Sequence, residues 1–429
     1  LSSLLPHEKR GLLDLIKHYN LASPEELLFM EAAKKARHKI AEIDKTTLEE
    51  YCLMDCRFTY QLYFKLKNQL KDSRELRFYD HYLLPAYRML TEVEMEGVNI
   101  DMNALENLTT RTQLRLENTL CQMRDCVKDL VELEEKFWLS ESLKELKEPQ
   151  KKDGKAYENY LKRLDKRKVS PKQFNWQSSQ QVLWLIRDAL GIACKNYEGK
   201  DSIAESVLRR IRHRHPIIQY LLEYKKLTKL KNAFLDRWKA DAIEGKIYTT
   251  YDITGTRTGR LSSSRPNLQQ VPKDAEIREL FTAPSGYSFI INDYSQIEPR
   301  VAAHYSREPI LKWVFEQNMD LYKQISLDIF GRYDNSMRKM AKTITLAMFY
   351  GAGAGKLKWI VKNQLDRDMA LEDCDTIVWK FNESYPQIKR FKEKLQHMLI
   401  QRKGKLYNLY GRPLFIDKKH ERFAFNTLI

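Results

Sequence analysis

The chain has 429 residues, 43% of them hydrophobic and 11% aromatic, enough for roughly three cores at about 150 residues each and too apolar for wholesale disorder. Its 74 Lys and Arg against 58 Asp and Glu leave a formal charge of +16 and a pI near 9.3, a surplus that favours a polyanion over small acidic substrates. The longest central run without charge, Thr343 to Gly355, is too short and Gly-rich to cross a bilayer, and six cysteines with no CxxC pair argue against a disulfide scaffold or zinc.

From Leu1 to about Leu70 the pattern is mostly helical. The chain opens with Leu1, not methionine, and its first residues show no basic-then-apolar leader, so no secretory signal is expected within it. Ser23 and Pro24 before Glu25 and Glu26 read as a helix start with acidic residues in the first turn, and Thr46 or Thr47 opens a second helix. Pro85 opens a long helical tract. Gly97 breaks it and Asp101 caps the next helix. Residues 132–172 are dense in Lys and Glu and read as a solvated tip. Helical periodicity resumes after Phe174 and runs to about Ala242. It includes Lys225, Lys226, Lys229 and Lys231, which either track phosphates or face water.

At Ile247 the texture turns to β through Ile253, and Ser288 to Asn292 reads as a second strand, apolar enough to be buried on both faces. Helices return at Gln296. The most regular spans Asn335 to Tyr350, and Gly351 to Gly355 stops it; no GxxxxGK[ST] loop occurs.

Three features carry chemistry. Asp293 ends the expected buried strand, where a rigid carboxylate can bind Mg²⁺, or else caps the helix beginning near Gln296. Arg338, Lys342, Leu346 and Tyr350 fall at i, i+4, i+8 and i+12, one slowly drifting stripe. Such a stripe suits a nucleoside triphosphate, its phosphates on the cations and its base near the aromatic end, or is simply one face of an amphipathic helix. Thr254 to Pro272 holds two glycines, three arginines and many hydroxyls, either a loop fit to approach a sugar-phosphate backbone or a flexible basic loop.

In order and wording these segments resemble the family A, bacterial polymerase I-like, DNA polymerases: TGRLSSSRPNLQQVP a first signature, DYSQIEPR motif A, and RKMAKTITLAMFYG motif B. EMEGVNID, FNWQSSQQV, LEYKKLTKLKNAF, NLYGRPLFI and FAFN extend the likeness over nearly the whole chain. The resemblance implies a mixed α/β (α+β), mostly helical right hand of thumb, palm and fingers, preceded by the end of an RNase H-like 3'-5' exonuclease domain. It divides the chain into residues 1–72 (exonuclease end), 73–242 (thumb), 243–306 (first palm part), 307–408 (fingers) and 409–429 (start of a second palm segment).

The resemblance also assigns roles. Asp293 and the Tyr294 carbonyl would hold catalytic Mg²⁺, two ions being expected in the complete enzyme. Glu298 would be the steric gate against a 2'-hydroxyl. Gln296, Arg338, Lys342, Leu346, Tyr350 and Tyr322 would line the dNTP pocket, with Arg338 and Lys342 on the triphosphate. Arg257, Arg260, Ser262, Asn267, Gln269, Lys229, Lys231, Arg412 and Asn426 would meet primer-template DNA. Tyr51 and Asp55 resemble the YxxxD exonuclease motif, with Asp55 a metal ligand and its upstream DxE pair absent from the chain.

Leu346 stands where most members carry an aromatic residue, Tyr322 where they carry a triphosphate-binding His, and Pro299 where an apolar helix residue is usual. Leu346 and YGAG lean toward phage- or organelle-like members. No His-Asp-Glu motif C occurs; the adjacent His-acid pairs are His7-Glu8, Asp80-His81 and His420-Glu421. The expectation is a chain that does not complete the palm alone and relies on a second polypeptide or a further C-terminal segment, in a bacterial or phage-infected cytoplasm or an organelle. A non-catalytic primer-template binding module and a single-subunit RNA polymerase are the competing readings; the carboxylate gate Glu298 speaks against the latter.

Overall fold

A computed structural model describes residues 2–5, 11–36, 43–127, 158, 174–196, 198–256, 258–365 and 367–429. The expected charged tip at 132–172 and Arg257 therefore lie outside the described residues, apart from Glu158. No helix among the described residues is long and apolar enough to cross a membrane.

The N-terminal unit packs α1 (Leu12–His18), α2 (Pro24–Ala36) and α3 (Lys45–Gln69) around Leu15, Ile16, Met30, Phe58 and Leu62. Helix α2 starts as its sequence indicates. Ser23 Oγ accepts from the Glu26 N–H at 3.2 Å while Glu26 Oε2 accepts from the Ser23 N–H at 2.8 Å, a reciprocal box that satisfies two orphan donors. The cap of α3 is Asp44 rather than a threonine; it accepts from the Thr47 N–H at 2.9 Å.

Next come α4 (Arg74–Phe78), a widened turn, and α5 (Leu84–Glu96). Gly97 ends α5 at φ 66°, and a Cβ there would fall 2.8 Å from the Tyr248 ring, so only glycine lets strand β1 (Val98–Ile100) turn away. Asp101 then caps α6 (Met102–Asp125) by accepting from the N–H groups of Asn103 and Ala104, both at 2.9 Å.

Helix α6 packs along α9 (Pro216–Leu230), with α7 (Ser179–Trp184) and α8 (Glu205–Ile211) beside it. Leu116, Met123, Val182, Ile186, Leu208, Ile218 and Leu221 fill this upper core. Helix α9 passes through a widened turn at Lys231–Leu235 into α10 (Asp236–Asp241). Below it Leu105, Phe234, Trp238 and Ile277 pack on a three-stranded antiparallel sheet of order β2 (Lys246–Ile247), β1, β5 (Phe281–Thr282).

The single strand expected over Ile247 to Ile253 divides. Ile247 pairs with Val98, whereas β3 (Thr250–Asp252) pairs with β4 (Ser262–Ser264) in a separate ladder. The break falls at buried Thr249, whose hydroxyl donates to the Pro266 carbonyl at 2.6 Å.

The other expected strand is a correction. Residues 287–294 form no ladder, and Ile290 and Ile291 are 86% and 88% exposed. A strand draws its stability from a neighbour's N–H and C=O groups and a covering layer, and neither lies against this segment among the described residues. Asp293 is thus exposed rather than held at the end of a buried strand.

The remaining chain is a helical unit with its own core: α12 (Ile297–Ser306), α13 (Pro309–Glu316), α14 (Leu321–Phe330), α15 (Asn335–Phe349), α16 (Ala354–Leu365), α17 (Leu371–Ser384) and α18 (Pro386–Gln401). Between α10 and α12, α11 (Ala275–Arg278) is a single turn. Hairpin β6 (Lys405–Tyr407) and β7 (Pro413–Phe415) and helix α19 (Ala424–Leu428) add Leu406, Leu414 and Phe425 to that core. Tyr385, wholly buried, donates to Asp328 Oδ2, which ties the start of α18 to α14.

Candidate nucleotide and DNA interface

Helix α15 is buried through Ala341, Ile344, Thr345, Ala347 and Met348. That burial turns Arg338, Lys342 and Tyr350 outward, with Leu346 partly covered between them. The stripe is the accessible face of the helix and extends about 18 Å at a rise of about 1.5 Å per residue. Gly351, at φ 67°, ends it.

Arg338 Nε donates to Asp320 Oδ2 at 2.6 Å, and its guanidinium stands 5.4 Å from the centre of the Tyr322 ring. Asp320 caps α14 by accepting from the Tyr322 N–H at 2.9 Å. Burial opposes the charge of Asp320, but the Arg338 hydrogen bond and the capped N–H outweigh it and keep its carboxyl below the usual range. The same ion pair raises Arg338. Tyr322 is 5% exposed, and burial pushes its phenol above its ordinary value, with a smaller contribution from the Glu298 carboxylate.

Glu298 stands in the first turn of α12. It accepts from Arg260 of the loop after β3. Arg260 with Glu298, and Arg338 with Asp320 and the Tyr322 ring, thus bring together side chains drawn from four separate stretches of sequence. Gln296, the residue before α12, adopts φ 56° and ψ 41°, a conformation that a non-glycine residue holds only under constraint. Its Oε1 is buried without a partner, an acceptor still to be satisfied.

A family model described as DNA polymerase family A matches residues 140–429. The chain belongs to DNA polymerase family A. It is 28% identical over 390 residues to the thermostable DNA polymerase I of Thermus thermophilus, covering 85% of this chain and 41% of that one. It is 29% identical over 425 residues to DNA polymerase I of Chloroflexus aurantiacus, covering 94% and 40%. The chain therefore spans about two fifths of the length of these relatives. The POL domain of Pol1 from M. smegmatis, solved in complex with DNA primer-template and dNTP, shares the fold at a TM-score of 0.74 and 21% identity, covering 99% of this chain and 66% of that one.

Within this family A fold the loop before β4 is built tightly. Asp252 Oδ1 accepts from the Thr254 N–H and hydroxyl at 2.7 and 2.9 Å, and Thr256 Oγ1 donates to the Arg260 carbonyl at 2.6 Å. Gly259 sits at φ 83°, and a Cβ there would come 2.9 Å from the Arg412 guanidinium carbon. Arg412 donates to the Gly259 and Ile253 carbonyls, both at 3.4 Å, so it holds the loop that presents Arg260. Asn267 works in the same way, its Oδ1 accepting from the Gln269 N–H at 3.0 Å and the Ser263 hydroxyl at 2.9 Å. Ser262 lies in β4, where it pairs with Asp252.

The lysine run of α9 separates by role. Lys225 donates to the Ile203 carbonyl at 2.9 Å and is lowered by burial, and Lys231 pairs with Asp236 at 2.7 Å; Lys226 and Lys229 are exposed. Tyr51 and Asp55 share one face of α3, with Tyr51 against the small core of Ile16, Met30 and Phe58. Asn426, on α19, has both side-chain polar atoms buried and unpartnered.

Among the described residues no group of three His, Cys, Asp or Glu could hold a metal ion. Asp293 and the Tyr294 carbonyl offer oxygen ligands of the kind Mg²⁺ prefers, but the donor set does not make a complete centre. Sequence reasoning overlooked Asp320, although an Asp before the apolar run Leu321-Tyr322 is a helix-start signal. It also overlooked Lys392, which no local pattern marks.

Proposed function

We propose that this chain binds primer-template DNA and a dNTP and serves template-directed DNA synthesis, in which a deoxynucleotide passes from dNTP to a primer 3'-hydroxyl. The observation that carries this reading is the outward stripe of Arg338, Lys342 and Tyr350 on α15, with Arg338 held by Asp320 and the Tyr322 ring, together with the Arg260–Glu298 pair. In the reaction the primer 3'-hydroxyl gives up its proton to solvent as its oxygen attacks the α-phosphorus, the new O–P bond forms, and the bond to the pyrophosphate oxygen breaks. Arg338 and Lys342 would take up the negative charge that collects on the leaving pyrophosphate. Glu298, held by Arg260, would crowd the sugar's 2' position. Gln296 and Asn426 carry unpartnered amides suited to the polar edges of nucleotide or template.

The same reading divides the chain into an exonuclease end (1–72), thumb (73–242), palm (243–306), fingers (307–408) and a second palm segment (409–429), working in the cytoplasm as expected for relatives of bacterial DNA polymerase I. Two-metal chemistry belongs to the family resemblance. Among the described residues the donor set around Asp293 is too small for it, and the apolar segment 287–294 is open to pairing. Both favour a further segment or second polypeptide that adds a strand and a carboxylate. Primer extension by the 429-residue chain, measured against equilibrium binding of dNTP to its primer-template complex, tests this. Template-dependent binding with no extension is expected. Absence of such binding overturns the nucleotide-site reading, and robust extension overturns the incompleteness.

A further inference from the structure

The last carbonyls of a helix have no intrahelical donor. At the end of α15 the Met348 carbonyl receives the Gly351 N–H at 3.0 Å and, from another helix, Lys392 Nζ at 2.6 Å. Lys392 lies in the first half of α18, and its ammonium also stands 5.2 Å from the centre of the Phe425 ring. Phe425 in turn packs edge-on against Phe349 at 5.9 Å and Phe391 at 6.1 Å. A single cation thus touches the carbonyl end of the stripe helix two residues before Tyr350, and the ring next to Asn426.

Burial drives the Lys392 pKa down to about 8, so the protein holds this ammonium against its solvation preference. A methionine of similar length would fill the same space without that penalty. What a methionine could not do is donate to Met348 or sit as a cation on the face of Phe425, and a positive charge is favoured at a helix C-terminus. Tyr350 is exposed and follows directly on the last residue of α15, so its position depends on how that end is held.

We propose that Lys392 is a positioning residue for the nucleotide site: it clamps the carbonyl end of α15 to Phe425 and so sets Tyr350 and Asn426 relative to each other. It does not touch nucleotide itself. This role rests on the reading of α15 as the nucleotide helix.

The test compares the 429-residue chain with Lys392→Met, measuring affinity for primer-template alone, affinity of that complex for the dNTP complementary to the templating base, and thermal midpoint. Loss of the clamp should weaken the correct dNTP about tenfold, the scale of one charge-assisted hydrogen bond. Mismatched dNTPs should be affected less, so that discrimination narrows. Primer-template affinity should stay within about twofold, and the thermal midpoint should hold or rise. Unchanged dNTP affinity overturns the proposal, and so does a lower thermal midpoint with all binding weakened in parallel, which marks a structural role only. If the unaltered chain shows no template-dependent dNTP binding, the nucleotide-site reading fails first and takes this one with it.

Discussion

Helix α15 and the segment Ser288 to Asn292 were both expected to be regular elements presenting key residues, and they come out opposite. The helix closes its own hydrogen bonds and buries Ala341, Ile344 and Met348 against neighbouring helices, so its outward stripe is fixed from within. The segment is as apolar as a core strand, yet Ile290 and Ile291 face solvent, because a strand's backbone partners must come from elsewhere in the fold. A helix can therefore be read from its own period, whereas a buried strand is a statement about its neighbours.

Two substitutions sharpen the contrast most. Ile344→Ala should cost about 2–5 kcal/mol in denaturant unfolding, as a wholly buried side chain is lost. Ile291→Ala should change stability by about 0.5 kcal/mol or less, and a loss comparable to that of Ile344→Ala would show that the segment is covered after all.

At the site, Glu298→Ala should lower the preference for deoxy- over ribonucleotide by about a hundredfold, a scale suited to removing a steric and polar discriminator. Unchanged sugar selection in competition binding would remove Glu298 from the gate. Lys342→Ala should weaken dNTP about tenfold or somewhat more, whereas equal affinity would return the stripe to an ordinary exposed helix face.

Proton linkage gives smaller effects. Lys392 has its folded pKa pushed down to about 8 from an ordinary 10.5. Between those values the unfolded chain binds more protons, so stability rises with pH across that window. Lys392→Met should flatten the rise when melting is followed from pH 7 to 10. Glu75 runs at the acid end. Burial opposes its charge, yet hydrogen bonds from Lys405 and Tyr407 outweigh it and lower its pKa below 4.5. Its contribution is full above that value and is lost as pH falls through the lowered one, so Glu75→Gln should reduce acid sensitivity slightly in the same melts.

Much of the architecture was legible because its signals are local: the Ser23–Glu26 box, the Gly97 break, the Asp101 cap and the stop at Gly351. The charged pairs at the site were legible only as separate motifs. Nothing in the wording of residues 258–260 says that Arg260 meets Glu298, and nothing in 318–322 says that Asp320 holds Arg338, since those pairings depend on how α12, α14 and α15 cross. Arg412, which the resemblance places on DNA, donates to the carbonyls of Ile253 and Gly259, a pairing that the local run NLYGRPLFI does not reveal. Lys392 was invisible because a lysine in a charged helix pattern looks solvated until the tertiary fold closes over it.

Glu75 joins Lys405 and Tyr407 across more than 300 positions of the chain. During synthesis from the N-terminus, this contact at the start of α4 must wait for the β6–β7 hairpin to emerge, after α6 and α9 have been able to pair, so local helix pairs can close before the long-range tie between Glu75 and the hairpin does.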